Sequence, residues 1–415
     1  MRSAADASER TLQALAPLAA ERVGLVAAHG RVLAESPRAE LTLPPWANSA
    51  MDGYAVRAAD VAGATPARPV TLPVLETVAA GAFPTRPLPP GAATRIMTGA
   101  PVPDGADSVV RVEDTDGGVT QVQVRDARDA GRNVRRAGED VWAGDVVLEA
   151  GTILRGAQVG LLAAAGVAGV NVHRRPRVAI ISTGDELVAL DRLDEARQGK
   201  RIISSNGYAL AALVREAGGE PVELGIVPDA INWLRAKLHE AASCDLIVTT
   251  AGVSVGEFDY TRAAVEQVGG TIDFWKVRMR PGAQLGFGTV RGTPWLGLPG
   301  NPVSAIVTFE LFVRPMVRRL LGHRELFPRA ISCVAGEAIR SGGGATYLLR
   351  AMLDESVTPA RATLAGGQGS HVQLSLGRAN ALLVIPPDVS EAPPGTALRA
   401  IPLGERMTFA SEFPF

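Results

Sequence analysis

Cysteine, aromatic residues and excess charge of either sign are scarce in this 415-residue chain. Its two cysteines, Cys244 and Cys333, lie far apart in the sequence and do not have the spacing of a metal or redox motif. We therefore expect reduced, buried thiols in a cytoplasmic protein. The 42 basic and 43 acidic residues give a formal net charge of −1, which argues against binding nucleic acid through bulk charge.

Several familiar motifs are missing as well. The five histidines lack metal-binding spacing, so zinc is not expected. The chain has no Gly-x-x-x-x-Gly-Lys-Ser/Thr loop, and Gly286-Phe-Gly288 lacks dinucleotide-motif spacing and is interpreted as part of a hairpin. The longest apolar stretch, 159–172, is too short to cross a membrane, and the N-terminal residues do not resemble a secretory signal.

Glycine and proline are plentiful, and 47% of the residues are hydrophobic, which is enough for several folded cores. The pattern predicts a multidomain α/β plus β protein. Residues 51–139 read as a small β domain and residues 176–326 as a doubly wound α/β domain. Residues 1–50 and 140–175 are assigned to a mixed linker and dimerisation domain, and residues 327–415 to a C-terminal β domain. Residues 7–36 are predicted to form one helix followed by a short strand-like turn.

The α/β segment alternates apolar strands with helical patterns. Strands are predicted at 177–182, 222–227, 245–250 and 272–277. Asn206 is interpreted as the N-cap of the helix after the first strand. Such alternation favours a parallel sheet with helices on both faces, in which ligands bind beyond the carboxyl ends of the strands.

Carboxylates follow three of these strands. Asp185 and Glu186 come after the first strand, Asp229 after the second and Asp259 after the third. Each could be a turn or cap residue, with about even odds. Together, on one edge of a parallel sheet, they favour a site for Mg²⁺ and a phosphorylated ligand, because Mg²⁺ prefers a few carboxylate oxygens and retained waters.

Two glycine-rich loops follow strands at the same edge. The first spans residues 251–256, and the second, 297–302, runs directly into a helical pattern at 303–321. Glycine allows close approach of a ligand, and a helix start attracts anions. Asn301 and Pro302 also fit a purely structural helix start. Lys276, Arg278 and Arg280 alternate, so they share one face, either solvated or facing an anion.

Six ordered motifs resemble a known family, the MoeA-like molybdopterin molybdenumtransferases, which are related to the C-terminal region of gephyrin. The motifs cover nearly the whole chain. They are Asn48-Ser-Ala-Met-Asp-Gly-Tyr-Ala-Val-Arg57, Arg95-Ile-Met-Thr-Gly-Ala-Pro-Val-Pro103, Arg135-Arg-Ala-Gly-Glu-Asp140, Ser182-Thr-Gly-Asp-Glu-Leu187, Gly252-Val-Ser-Val-Gly256 with Asp259-Tyr260, and Gly297-Leu-Pro-Gly-Asn-Pro-Val-Ser304.

The resemblance implies an elongated homodimer of four-domain subunits whose third domain has the fold of molybdopterin adenylyltransferases. It implies that adenylylated molybdopterin reacts with molybdate in the presence of Mg²⁺ and releases AMP. A molybdopterin adenylyltransferase and acceptor molybdoenzymes are possible partners. Neither nucleic acid nor a membrane is expected as a partner.

The resemblance also assigns site residues. Asp52 and Thr98 would act from the second domain, across the dimer, in catalysis with Glu186 and Asp259. The metal would be held by Asp185, Glu186 and Asp259. The substrate-binding positions are Asp140, Asp229, Gly252, Ser254, Lys276, Arg280, Pro299, Gly300, Pro302, Arg350 and Ser370, the last two near the molybdate.

The chain departs from the family pattern twice. Ala251 stands where the family has glycine, and Ala283 where it has a second lysine. We expect a negative φ at Ala251, with Gly252 supplying the turn, so that Ala251→Gly would slightly lower the melting temperature. The alternatives are the preceding adenylyltransferase step, or a scaffold that binds molybdopterin without turnover. The sequence leaves open the choice between molybdate and tungstate and the identity of the acceptor enzymes.

Overall fold

The computed structural model describes residues 1–13, 15–251 and 260–415, and the chain divides into two compact units. The smaller unit contains Arg22–His29 and Glu35–Val170. The larger unit contains Met1–Glu21, Gly30–Ala34 and Asn171–Phe415. The four domain boundaries predicted from the sequence stay a prediction.

The smaller unit is built on a five-stranded sheet that lies within residues 51–139, where the sequence predicts a small β domain. Tyr54, Val110 and Val122 are fully buried in its core, because alternate residues of each strand face the same side. The strand order is Ser108–Arg111, Gly53–Val56, Ala93–Ile96, Val70–Val78 and Gln121–Val124. The unit also contains the paired strands Asn48–Ser49 and Val134–Arg135 and the helices Ala58–Val61 and Gly156–Ala164.

The larger unit contains a six-stranded sheet. Its strand order is Glu220–Val227, Arg177–Thr183, Leu246–Thr250, Thr293–Leu298, Gly286–Val290 and Thr271–Phe274. The first four strands are parallel, and Gly286–Val290 is antiparallel to both of its neighbours. The expectation of a parallel sheet is therefore wrong at this edge. Arg291 and Gly292, both with positive φ, form the two-residue turn of a hairpin, which confirms the hairpin at Gly286.

Helices cover both faces of this sheet, as a doubly wound fold requires. Val178 and Ile180 pack with the helix Ser205–Glu216 on one face, and Ala179 and Ile181 pack with the helix Ile231–Ala241 on the other. The strand can be apolar throughout because both of its faces are buried. The larger unit also contains the helices Ala4–Gln13, Leu193–Arg197, Tyr260–Gln267, Pro302–Thr308 and Arg314–Leu320, with the π-helical turn Phe309–Val313 between the last two.

Two local expectations are wrong. The single helix predicted within residues 7–36, ahead of the strand-like turn, is instead the helix Ala4–Gln13, the strand Ala20–Gly24 and the helix Leu25–Ala28, because Pro17 cannot continue a helix. The helix after the first sheet strand begins at Ser205 with Ser204 before it, so Asn206 is not the N-cap.

The C-terminal part of the larger unit is a closed β barrel, in agreement with the β domain predicted there. Its strands, in order, are Thr346–Asp354, Arg361–Leu364, Ile331–Ala335, Ala397–Pro402 and Ala381–Ile385, and the last pairs with the first. The sequence did not predict the short helix Gln373–Arg378. The strand Met279–Arg280 also pairs with Thr346–Asp354, so it belongs to this sheet and not to the α/β sheet. In the described ranges, no helix is long and apolar enough to cross a membrane.

Candidate functional site

The carboxyl ends of four parallel strands lie side by side in the larger unit. Thr183 pairs with Val227, and Thr250 pairs with both Ser182 and Leu298. The residues that follow these strands therefore share one edge of the sheet. This confirms the predicted edge and places two of the three carboxylate loops there, together with the loop at Pro299 and Gly300.

The carboxylates of this edge interact. The Asp229 backbone N–H donates to Asp185 Oδ1 at 3.2 Å. Partial burial raises the pKa of the Asp229 carboxyl, and the negative charges of Asp185 and Glu186 raise it further. Arg201 donates to the Asp185 carbonyl oxygen. In residues 1–13, 15–251 and 260–415, no group of three or more His, Cys, Asp or Glu side chains could by itself hold a metal ion. Asp259 lies outside the described residues.

A cavity of about 720 Å³, here called the rim cavity, opens at this edge. It is lined by Thr183, Glu186, Leu187, Ile202, Ile203, Ser204, Ser205, Asn206, Thr250, Ala251, Gln284, Gly300, Asn301, Pro302, His371 and Gln373. Polar groups from the strand ends face apolar side chains of Leu187, Ile202 and Ile203. Such a mixture suits a flat organic ligand with polar edges.

A second cavity of about 390 Å³, here called the barrel cavity, lies between the barrel and the loop at Pro299. It is lined by Arg280, Pro281, Gly282, Ala283, Gln284, Pro299, Asn301, Ser304, Tyr347, Leu349, Arg350, Gln368 and Ser370. Two arginines and no acidic residue are in this set. Gln284 and Asn301 line both cavities, so the two spaces adjoin.

Arg350 gives the barrel cavity a buried positive charge. Its side chain is 0% exposed, and its Nη2 donates to the carbonyl oxygens of Gly367 at 2.9 Å and Gly369 at 3.0 Å. Nε donates to Ser375 Oγ at 3.3 Å, whereas Nη1 has no hydrogen-bond partner in the part of the chain that the structure describes. Burial lowers the pKa of the guanidinium. No carboxylate of the described residues pairs with it, so the charge remains available to an anion.

The start of the helix Pro302–Thr308 is less available than expected. The Val303 N–H donates to the Ser370 carbonyl at 3.2 Å, so this amide is already used. Pro302 occupies the first helical turn, as expected, but the Asn301 side chain makes no capping hydrogen bond. The Val303 amide is therefore not free to bind an anion, and the positive charge in this region comes from the arginines of the barrel cavity.

The structure contradicts the expectation for Ala251. Its φ is 72°, in the left-handed region that favours glycine. Its N–H donates to the Leu298 carbonyl at 3.1 Å, which ties the two strand ends together. A Cβ added to Gly300 would lie 3.1 Å from the Ala251 Cβ, so glycine at 300 makes room for this methyl group.

Sequence reasoning missed Asn206, Gln284 and His371. Asn206 Nδ2 donates to the Gly300 carbonyl at 2.8 Å across the sheet edge. Nothing in the local sequence distinguishes this role from the capping role that was predicted. For Gln284, the signal was its position beside Ala283 in a segment that departs from the family pattern. His371 follows the predicted site residue Ser370 directly.

Other predicted site residues lie elsewhere. Lys276, Arg278 and Arg280 are exposed while Val277 and Met279 are buried, so the alternation holds. The strand predicted at 272–277 instead ends at Phe274, and Lys276 is absent from the lining of both cavities. Gly252 and Ser254 are outside the described residues.

In the smaller unit, Asp52 and Thr98 form a pair. Asp52 Oδ1 accepts hydrogen bonds from the Thr98 N–H at 2.7 Å and from Thr98 Oγ1 at 2.8 Å. The backbone bond is the main cause of the lowered pKa of the Asp52 carboxyl, and the hydroxyl bond adds to it. Asp140 is exposed, and its backbone N–H donates to the Leu43 carbonyl at 3.0 Å.

Comparison with known proteins gives the same order of regions. The family models that match are the MoeA N-terminal region (domain I and II) at residues 2–166, a probable molybdopterin binding domain at 179–319 and the MoeA C-terminal region (domain IV) at 333–403. Molybdopterin molybdenumtransferase 2 of Mycobacterium tuberculosis is 44% identical over 383 residues, covering 91% of this chain and 93% of its own.

The chain belongs to the molybdopterin molybdenumtransferase family. This confirms the resemblance seen in its motifs. The Haemophilus influenzae member is 35% identical over 377 residues, covering 89% of this chain and 90% of its own. The crystal structure of the molybdopterin biosynthesis MoeA protein from Pyrococcus horikoshii OT3 superposes with a TM-score of 0.83 at 29% identity. The superposition covers 97% of this chain and 100% of that one. The predicted multidomain α/β plus β fold is confirmed as well.

Proposed function

We propose that this enzyme inserts molybdenum from molybdate into adenylylated molybdopterin and releases AMP, in the biosynthesis of the molybdenum cofactor. The observation that carries the proposal is the pair of adjoining cavities. One contains a buried guanidinium that pairs with no carboxylate of the described residues, and the other opens at a carboxylate-bearing sheet edge. A small oxyanion and a larger organic substrate can therefore occupy neighbouring positions, which is what transfer between them requires.

Molybdate binds in the barrel cavity. Arg350 Nη1 has no hydrogen-bond partner among the described residues, and Arg280 adds a second cation at the same cavity. Guanidinium groups hold tetrahedral oxyanions well because their N–H donors are fixed in a planar fork. Ser370 contributes to the wall and holds the helix start through its carbonyl. Ala283 offers no charge here, so the two arginines supply the attraction.

The organic substrate binds in the rim cavity, whose wall includes Gly300 and Pro302, while Pro299 lines the adjoining barrel cavity. Asp185 and Glu186 fit a Mg²⁺ ion, since Mg²⁺ uses one or two protein carboxylates together with substrate phosphates and water. The ion would supply charge neutralisation at the pyrophosphate when bound. Asp259 is proposed as a further ligand. Glu186 orients the group that attacks, and Asp229 and Lys276 are proposed to bind the substrate with Gly252 and Ser254.

We also propose that the enzyme is a homodimer whose sites are completed by the partner subunit through Asp52, Thr98 and Asp140. The Asp52–Thr98 pair supports a role in catalysis, because two hydrogen bonds hold the carboxylate charged and oriented. The free, buried thiols of Cys244 and Cys333 support a cytoplasmic location. A molybdopterin adenylyltransferase and acceptor molybdoenzymes remain proposed partners.

The test of this function is AMP release by the purified protein from adenylylated molybdopterin, with and without molybdate. Release that depends on molybdate supports the proposal. Consumption of ATP with free molybdopterin would indicate the preceding adenylyltransferase step instead, and binding without turnover would indicate a scaffold. Mixing Asp52→Ala and Glu186→Ala subunits tests the shared site, since only heterodimers would contain one intact site. Heterodimers without recovered activity would contradict that part.

A further inference from the structure

Asn206 presents a hydrogen-bond acceptor that no described residue uses. The residue is 8% exposed and lines the rim cavity. Its Nδ2 donates to the Gly300 carbonyl at 2.8 Å, and because a carbonyl oxygen can only accept, the amide orientation is fixed. Oδ1 therefore points away from Gly300, and it has no hydrogen-bond partner in residues 1–13, 15–251 and 260–415. A buried, unmet acceptor is costly, so its place in a cavity wall suits a donor group of a bound ligand.

The chemistry of that partner follows from the acceptor. An amide oxygen carries a partial negative charge, so it repels molybdate and the phosphate oxygens and requires an N–H or O–H donor. The neighbouring wall residues Leu187, Ile202 and Ile203 are apolar and suit the face of a ring. The barrel cavity is the opposite, since Arg280 and Arg350 line it and no carboxylate of the described residues does. The two cavities thus differ in the sign of charge that they favour.

We propose that Asn206 Oδ1 binds the amino-pyrimidine edge of the pterin ring, where an exocyclic amine stands beside a ring N–H. This proposal rests on the function proposed above and names the part of the substrate that enters the rim cavity. The same side chain joins two tasks. Nδ2 fixes the loop at Gly300, and Oδ1 selects a ring with donors at that edge. Asn206 is thereby a substrate-binding and positioning residue.

A double-mutant cycle separates the two tasks. Pterin, pteridin-4-one, which lacks the amine, and 3-methylpterin, which lacks the ring N–H, are titrated by fluorescence against the full-length wild type and Asn206→Ala. Loosening of Gly300 affects all three probes alike and cancels in the cycle. We expect Asn206→Ala to weaken pterin binding about tenfold, and to weaken at least one of the two deficient probes by no more than about twofold. Equal losses for all three probes would overturn the proposal.

Asn232→Ala is the matched control. Like Asn206, Asn232 is the second residue of its helix, Ile231–Ala241, but it is exposed and away from the rim cavity. It should bind pterin as the wild type does. AMP is titrated in parallel, and loss of AMP binding with unchanged pterin binding in Asn206→Ala would assign the acceptor to the nucleotide and overturn the proposal. Failure of wild-type AMP release would instead count against the proposed function, while the probe cycle would still decide the role of Asn206.

Discussion

Ala251→Gly should stabilise the protein, although alanine-to-glycine changes usually destabilise. The wild-type φ of 72° costs a residue with a Cβ about 1–2 kcal/mol. Glycine would recover this cost but would add about 0.4–1 kcal/mol of unfolded-chain entropy. It would also lose part of a methyl contact with Gly300, up to about 0.4 kcal/mol for a half-buried methyl group. The balance is a gain of about 0.5 kcal/mol.

The measurement is urea unfolding of the wild type, Ala251→Gly and Ala263→Gly. Ala263 lies within the helix Tyr260–Gln267 and is also half-buried, so it is the same substitution in an ordinary helical conformation. Ala263→Gly should cost about 1 kcal/mol. The two variants should therefore differ by about 1.5 kcal/mol in the free energy of unfolding.

Equal destabilisation of the two variants would refute the reasoning, since it would show that residue 251 stores no backbone strain.

A second consequence concerns Gly300. Gly300→Ala places its methyl 3.1 Å from the Ala251 Cβ, a contact tighter than ordinary packing allows. The cost should be about 1–2 kcal/mol in the wild type and clearly smaller in Ala251→Gly, where the opposing methyl is gone.

Three further changes test the two cavities and the fold. Arg350→Gln should raise the KM for molybdate about tenfold or more while changing the KM for adenylylated molybdopterin little, because the buried charge lines only the barrel cavity. Asp52→Asn should lower kcat strongly with little change in melting temperature, since the carboxylate is exposed; unchanged kcat would remove it from catalysis. Burial lowers the pKa of His323 to about 3, and Arg318 adds to this, so stability should fall by about 2 kcal/mol as the pH drops from 7 to 5. Measured by urea unfolding, His323→Gln should lack this fall in stability between pH 7 and 5, whereas His239→Gln, at an exposed site, should keep it.

The sign of the His323 effect follows from the lowered pKa. The folded state keeps the ring neutral, whereas the unfolded chain binds a proton near the ordinary histidine pKa of about 6.5. The stabilisation is therefore complete above that value and is lost as the pH falls below it towards the folded-state value.

The sequence was sufficient to predict the sheet edge. Strands such as Leu246–Thr250 are continuous apolar runs that end in glycine-rich or acidic loops, and parallel strands place those loops together. The carboxylates of Asp185 and Asp229 could be assigned to one edge for that reason. Arg350 and Ser370 were predicted only from the family resemblance. The local sequence does not show that a charged or polar residue lies beside a ligand.

Asn206 and Ala251 show where local reasoning stops. Asn at a helix start fits an N-cap so well that its bond to Gly300, 94 residues away, could not be anticipated. At Ala251, helix and turn propensities favour a negative φ, but the hydrogen bond from its N–H to Leu298 fixes the backbone between two strand ends. Tertiary contacts override intrinsic preference in both cases.

The position of the cations follows from how the chain leaves the α/β sheet. The edge strand ends at Phe274, and by Met279–Arg280 the chain has joined the barrel sheet, where Arg280 pairs with Tyr347. Arg350 lies three residues further along that same barrel strand. A short crossing segment therefore brings Arg280 into the same cavity as Arg350, beside the loop at Pro299 that ends a strand of the α/β sheet. The cationic cavity therefore forms where the chain passes from the α/β sheet to the barrel sheet. Its residues come from both parts of the fold, so no single stretch of sequence predicts it.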